Sequence, residues 1–221
     1  MTLAIFDLDN TLIAGDSDHL WGDFLVEQGV VDATHYQTTN DAFYQDYVNG
    51  RLDIHAYLRF SLRVLTQHPV EQLHQWREQF VREKIEPIIL PRGRDLLGEH
   101  RDQDHTLMII TATNDFVSTP IAERLGVDHL LATRVKMRHG HYTGDTRGIP
   151  CYRDGKVERL HQWLNEAGES LEQAWFYSDS HNDLPLLERV DHPVAVDPDP
   201  TLAREARERG WNLISLRESC D

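Results

Sequence analysis

The stretch IFDLDNTL, residues 5–12, sets two carboxylates, Asp7 and Asp9, directly behind the apolar run Leu3–Phe6. A short, unbroken apolar run is the pattern of a strand covered on both faces, so Asp7 falls where a buried strand ends. Two carboxylates about 4 Å apart at an effective dielectric near 20 repel by roughly 4 kcal/mol, a sizeable part of a domain's net stability. In open α/β sheets that strand edge is where ligands bind. Taken alone, the segment reads equally as a polar turn rich in Asp and Asn. What the rest of the chain brings beside it decides the matter.

Further apolar runs at Leu107–Ile110, Trp175–Tyr177 and Val194–Val196, with shorter ones at Leu130–Ala132 and Leu213–Ile214, predict more strands. Helical spacing lies between the later ones, as in Val157, Leu160, Trp163 and Leu164. Alternating strands and helices imply an α/β fold, a Rossmann-like parallel sheet with helices on both faces. From about Asp16 to Ile85 the spacing is helical throughout, in four segments punctuated by Gly29, Asn49–Gly50 and Pro69. Pro87 and Pro91 mark the return to the sheet. The expected organisation is a catalytic α/β core over 1–15 and 88–221 with an inserted all-helical cap over 16–87. The aromatic side chains of the insert are expected to be its core.

Composition narrows the possible partners. Lys+Arg 22 against Asp+Glu 37 gives a net charge of −15, which opposes binding to a phosphate backbone and leaves no expectation of a nucleic-acid partner. Cys151 and Cys220, far apart, form neither a disulfide framework nor a zinc pattern. With no signal sequence and no apolar run of about 18 residues, the chain is expected to be cytoplasmic, with no membrane partner. The histidines are scattered, and the close pair His139 and His141 reads as a hairpin turn.

Three more stretches carry chemistry. LMIITATND, residues 107–115, ends an apolar strand on Thr111 and passes through Ala112 and Thr113 to Asn114 and Asp115, good helix caps. A hydroxyl and free amides at such a turn suit a phosphate, helped by the helix dipole. YRDGKVERL, residues 152–160, puts Lys156 in the first turn of an amphipathic helix, where it opposes the dipole and a role facing an anion is more plausible than a structural one. WFYSDSHNDLPLL, residues 175–187, repeats the opening device: a strand runs into Asp179, with Asn182 and Asp183 following. Asp7, Asp9, Asp179 and Asp183 converging on one sheet edge call for a hard cation, and magnesium fits the oxygen ligands.

With these motifs the chain resembles the haloacid dehalogenase superfamily of phosphohydrolases: DLDNT, then Thr111, Lys156 and SDSHND stand in that family's order. The helical insert and the GHYTG hairpin ahead of Lys156 resemble its phosphoserine phosphatase-like branch. One departure is Thr111-Ala112-Thr113 where the phosphoserine enzymes usually carry Ser-Gly-Gly. The resemblance implies a magnesium-dependent phosphatase on a small phosphorylated metabolite. Asp7 would be the nucleophile that becomes an aspartyl phosphate, and Asp9 the acid and base. Thr111, Ala112 and Lys156 would hold the phosphoryl oxygens, with Asn182 a phosphate-side or lysine-orienting contact. Asp179 and Asp183 would carry magnesium together with Asp7 and the backbone carbonyl of Asp9. Asp16 occupies the place of an acidic residue that meets a substrate amine in that branch, and is equally well placed as a helix cap. Histidinol phosphate and phosphoserine are the candidate substrates. Phosphotransfer to another acceptor is one alternative. A receiver-like signalling protein is another, opposed by the insert and by Asp9.

Overall fold

The computed structural model describes residues 2–217, so Cys220 lies outside the described residues. Strand β1 (Leu3–Phe6) is central, hydrogen-bonded in parallel to β2 (Thr106–Asn114) on one side and to β6 (Trp175–Ser178) on the other. With β3 (His129–Thr133), β7 (His192–Val196) and β8 (Asn212–Ile214) the six parallel strands run in the order β3-β2-β1-β6-β7-β8. Chain direction through the sheet reverses between β1 and β6, which opens a crevice beyond their carboxyl ends. Asp7 and Asp179 are the first residues past those two strands.

Alternation along β1 divides the interior. Ala4 and Phe6 join one apolar cluster while Leu3 and Ile5 join the other, as side chains two apart share a sheet face. The first cluster takes in α5 (Pro91–Arg101) and α6 (Asp115–Leu125). The second takes in α7 (Asp154–Ala167), the short α8 (Leu184–Leu187) and α9 (Pro200–Arg209). Fully buried strands need apolar residues at successive positions, which is why these strands read as unbroken runs.

Between β1 and the neck that leads to α5 the chain forms α1 (Ser17–Glu27), α2 (Ala33–Val48), α3 (Ile54–Ser61) and α4 (Val70–Phe80), then widens into a π turn over Val81–Ile85 and tightens into a 3₁₀ turn over Glu86–Ile88. Asp16, Asp32 and Asp53 each cap the helix that follows, their side chains accepting from backbone N–H groups. At the neck of this insert Ile13 bridges Ile89 antiparallel, with Ala14 N–H donating to Ile88 and Leu90 N–H to Leu12. Trp21, Phe24 and Phe80 continue the first apolar cluster into the insert, Trp21 standing 5.7 Å from the Phe116 ring of α6. The HGH segment turns a hairpin between β4 (Val135–Arg138) and β5 (His141–Thr146). Among the described residues no helix is long and apolar enough to cross a membrane.

The second strand differs from its prediction. It runs past Thr111 to Asn114, pairing with β3 through a register shift, because Thr111 and Thr113 are β-branched and suit an extended backbone. Asn114 still caps α6, accepting from Val117 N–H.

Candidate active site

The crevice beyond β1 and β6 gathers side chains that are far apart in sequence. Lys156, in the first turn of α7, extends a fully buried ammonium to Asp7 Oδ1 and to Asp183 Oδ2, each at 2.8 Å. Ser178 Oγ donates to the same Asp183 oxygen at 2.7 Å. Asp179 is held from the opposite loop: its N–H donates to Thr11 Oγ1 at 3.1 Å, and the Thr11 hydroxyl lies 3.3 Å from its carboxylate.

Asp9 faces a different set of partners. Its carboxylate accepts from Ser17 N–H at 2.6 Å, from Thr113 Oγ1 at 2.8 Å and from Thr111 Oγ1 at 3.3 Å. The two acids of the DLD motif are thus split, with Asp7 on the ammonium and Asp9 at the start of α1 among hydroxyls. Alternation after Asp7 puts Leu8 into the core and leaves Asp9 free to turn toward the insert.

Burial is the first cause of the charge state here. It pushes the Asp7 carboxyl up to about 7, with Lys156 pulling it down and Asp183 and Asp9 pushing it further up. Asp179 is likewise held well above the usual carboxylate range by burial and by the charges of Asp7 and Asp183. Burial opposes the charged form of Lys156, yet the paired carboxylates outweigh it and keep the amine protonated. More negative charge than one ammonium balances, borne on oxygen donors that repel one another, fits a hard divalent cation, which would draw these groups into their charged forms.

The structure gives each expected site residue definite partners. Asp183, expected to carry magnesium, has its Oδ2 shared between Lys156 and Ser178. Among the described residues only His19, Asp23 and Asp41, on the insert, bring three ligand atoms within 4.8 Å of one another. The four expected metal-site residues are therefore divided among Lys156, Thr11 and the Thr113 side. Asn182, expected on the phosphate side or beside the lysine, donates its amide to the Tyr47 carbonyl of α2 at 3.1 Å, and its oxygen accepts from Tyr152 Oη at 3.1 Å. It joins the tip of the insert to the core, because the loop after β6 meets the end of α2 there. Thr111, fully buried within the strand, has its hydroxyl on Asp9 and on Thr113 N–H rather than free at a turn. Ala112 and Asp16 line the same cavity as Asp7, and Asp16 also caps α1, accepting from His19 N–H at 2.8 Å. Burial and the Asp9 charge push its carboxyl up to about 7.

Sequence reasoning missed Thr11, Ser17, Thr113, Ser178 and Asp18. Period two along an extended β2 would have paired Thr113 with Thr111 on one face. Thr11 closes the DLDNT motif, a signal that gave it no partner, while Ser17, Ser178 and Asp18 depend on contacts across the fold.

A family model described as haloacid dehalogenase-like hydrolase matches residues 4–188. The chain is 44% identical over 219 residues to the histidinol-phosphatase of Neisseria meningitidis serogroup C (strain 8013), covering 97% of this chain and 99% of that protein. A crystal structure of a Bordetella pertussis Tohama I protein of unknown function aligns with a TM-score of 0.92 at 41% identity, over 98% of this chain and 100% of that one. A substrate-bound phosphoserine phosphatase shares the fold, with a TM-score of 0.72 at 19% identity over 96% of this chain and 92% of that one.

Proposed function

The chain belongs to the haloacid dehalogenase-like hydrolases, and from that membership we propose that it is a phosphatase that hydrolyses a small, amine-bearing phosphate monoester through an aspartyl phosphate on Asp7. The observation that carries this reading is the buried Asp7–Lys156 contact at the sheet's crevice, with Asp9 held apart by Ser17 and Thr113. A carboxylate oxygen of Asp7 attacks phosphorus as the bond to the leaving oxygen breaks, while Asp9 gives that oxygen its proton. Asp9, now ionised, takes a proton from the water that attacks the phosphoryl group, and the Asp7–phosphorus bond breaks to release inorganic phosphate. Thr113, Thr111 and Ser17 N–H fix Asp9 for both proton transfers, and Lys156 meets the negative phosphoryl oxygens.

Magnesium is the cation this donor set favours; Asp7, Asp179 and the Asp9 carbonyl, with Asp183 alongside, would hold it, and it would stabilise charge on the phosphoryl group. Acid–base help accounts for about 10²–10⁴ in rate, whereas phosphate monoesters call for acceleration approaching ~10²¹. Fixed charge, from Lys156 and the cation, must therefore carry much of the remainder. Residues 16–87 act as a cap on a core of 1–15 and 88–221, and closure on the neck at Ile13 and Ile89 excludes water. Histidinol phosphate is the first candidate substrate, on the name of the Neisseria relative, and phosphoserine the second.

The test is phosphate release from a panel of monoesters in magnesium. The account expects turnover by the native chain and none by Asp7→Asn. Substantial residual hydrolysis in that variant removes Asp7 as nucleophile.

A further inference from the structure

Strand β2 does not meet β3 evenly. Ile110 stands opposite Leu131 and Asn114 opposite Thr133, so four steps along β2 match two along β3, and Thr111, Ala112 and Thr113 lie in an irregularity of the ladder. That stretch faces the site: Ala112 lines the cavity that opens on Asp7, and the hydroxyls of Thr111 and Thr113 both reach the Asp9 carboxylate. Where a ladder is interrupted, its buried backbone groups need other partners. Here the fully buried Thr133 hydroxyl donates to the Ala112 carbonyl at 2.8 Å.

The same oxygen accepts from Cys151 N–H at 3.0 Å. Cys151 is itself fully buried, its thiol donating to the Leu131 carbonyl at 3.5 Å. From there the chain winds into α7 through consecutive turns, with Tyr152 N–H on the Pro150 carbonyl, Gly155 N–H on that of Tyr152 and Lys156 N–H on that of Arg153. The winding is tight: a Cβ on Gly155 would stand 2.1 Å from the Pro150 carbonyl oxygen. A shift at Cys151 is therefore passed on to Lys156. A hydroxyl has one proton to give and lone pairs that accept, and Thr133 Oγ1 uses both, one on each of the two segments that bear on the phosphoryl group.

Resting on the phosphatase reading, we propose that Thr133 is a positioning residue that holds the Thr111–Thr113 segment and the start of α7 at one fixed spacing, so that Asp9 and Lys156 act on the same phosphoryl group. Thr133 lies outside the cavity lining and acts through Ala112 and Cys151. Loss of its hydroxyl leaves a buried carbonyl and a buried N–H to seek new partners, which moves both segments.

The probes are nitrophenyl phosphate and inorganic phosphate, each with magnesium. Thr133→Val keeps the side-chain shape and removes both bonds, whereas Thr133→Ser keeps the hydroxyl. Misplacing reacting groups by about 1 Å costs on the order of 10²-fold. Thr133→Val should therefore lower kcat by about 10–100-fold and, in calorimetry, bind phosphate about tenfold more weakly. It should also release a burst of nitrophenolate, because a loosened Asp9 slows hydrolysis of the intermediate more than its formation from so good a leaving group. Thr133→Ser should keep the native values and show no burst. A folded Thr133→Val with native phosphate affinity and no burst has lost stability alone and overturns the proposal, as does a Thr133→Ser that behaves as Thr133→Val does. Amide exchange on the native chain needs no variant. Phosphate at about 100 times its Kd should slow exchange at Cys151 by about tenfold to hundredfold more than at the buried Ala195 of β7; equal slowing, or none, overturns the proposal. That exchange pattern without turnover of nitrophenyl phosphate upholds the positioning by Thr133 and defeats the phosphatase reading instead.

Discussion

Lys156→Met removes the ammonium that two buried carboxylates share while keeping most of the unbranched stem. Each contact is 2.8 Å, which at an effective dielectric near 20 is about 6 kcal/mol of attraction. Much of that is offset by the cost of burying the ammonium, a cost methionine does not carry. What the variant keeps is Asp7 and Asp183 buried, close and without their cation, and breaking a buried pair in this way costs about 3–5 kcal/mol. For a chain of this size each kcal/mol moves Tm by about 2–4 °C, so a fall of roughly 6–20 °C is expected. Thermal and urea unfolding should be followed in chelator, since a bound cation would mask the loss by stabilising the native state. Asp7→Asn alone should hold or raise Tm, because it takes one charge out of a crowded set. The double variant should therefore lose less than the sum of the two single changes. A Lys156→Met protein melting within about 2 °C of the native chain, or a strictly additive cycle, would refute this electrostatic reasoning.

Three further outcomes follow from the same geometry. Chelation should abolish turnover and magnesium restore it, with calcium a poor substitute owing to its larger and looser coordination; full activity without divalent ions rejects the metal assignment. Asp9→Asn should slow turnover by about 10²–10⁴-fold and, with a nitrophenyl leaving group, accumulate the intermediate as a burst; unchanged dephosphorylation in single turnovers removes its acid–base role. His100, hydrogen-bonded to the Tyr177 hydroxyl and close to His105, is held at about 4 by burial and by His105, below its usual 6.5. Its unfolded form binds the proton more readily, so stability is full above about pH 6.5 and declines toward pH 4; a Tm series should flatten over that window in His100→Gln, and an equal slope counts against it.

What the sequence made legible was whatever follows from local pattern. Leu3–Phe6 had to be a covered strand, and with Asp7 at its end the reversal of strand order brings Asp179 beside it. Lys156 opposes its own helix dipole, a local anomaly that its contact with Asp7, 149 residues away, resolves. The four helices of the insert, α1 to α4, were readable from spacing alone. Partners across the fold were not readable. Asn182 meets Tyr47 and Tyr152 because the end of α2 reaches the loop after β6, and nothing near Asn182 encodes that. The strand through Thr111 continues because β3 offers further pairing to its β-branched threonines, a tertiary preference that a turn-like reading of Ala112–Asn114 concealed. Asp18 reads as an ordinary first-turn acid until Asn114, at the end of β2, meets it.

The central claim is that the phosphoryl group passes through Asp7. The most direct measurement is acid quenching of Asp9→Asn during a single turnover of a nitrophenyl monoester with magnesium, followed by peptide mass spectrometry. The account predicts an added phosphoryl group on Asp7 that appears with the released nitrophenolate and is absent when Asp7→Asn is combined with Asp9→Asn. Nitrophenolate released with no phosphorylated peptide, or with the group on another residue, would contradict it.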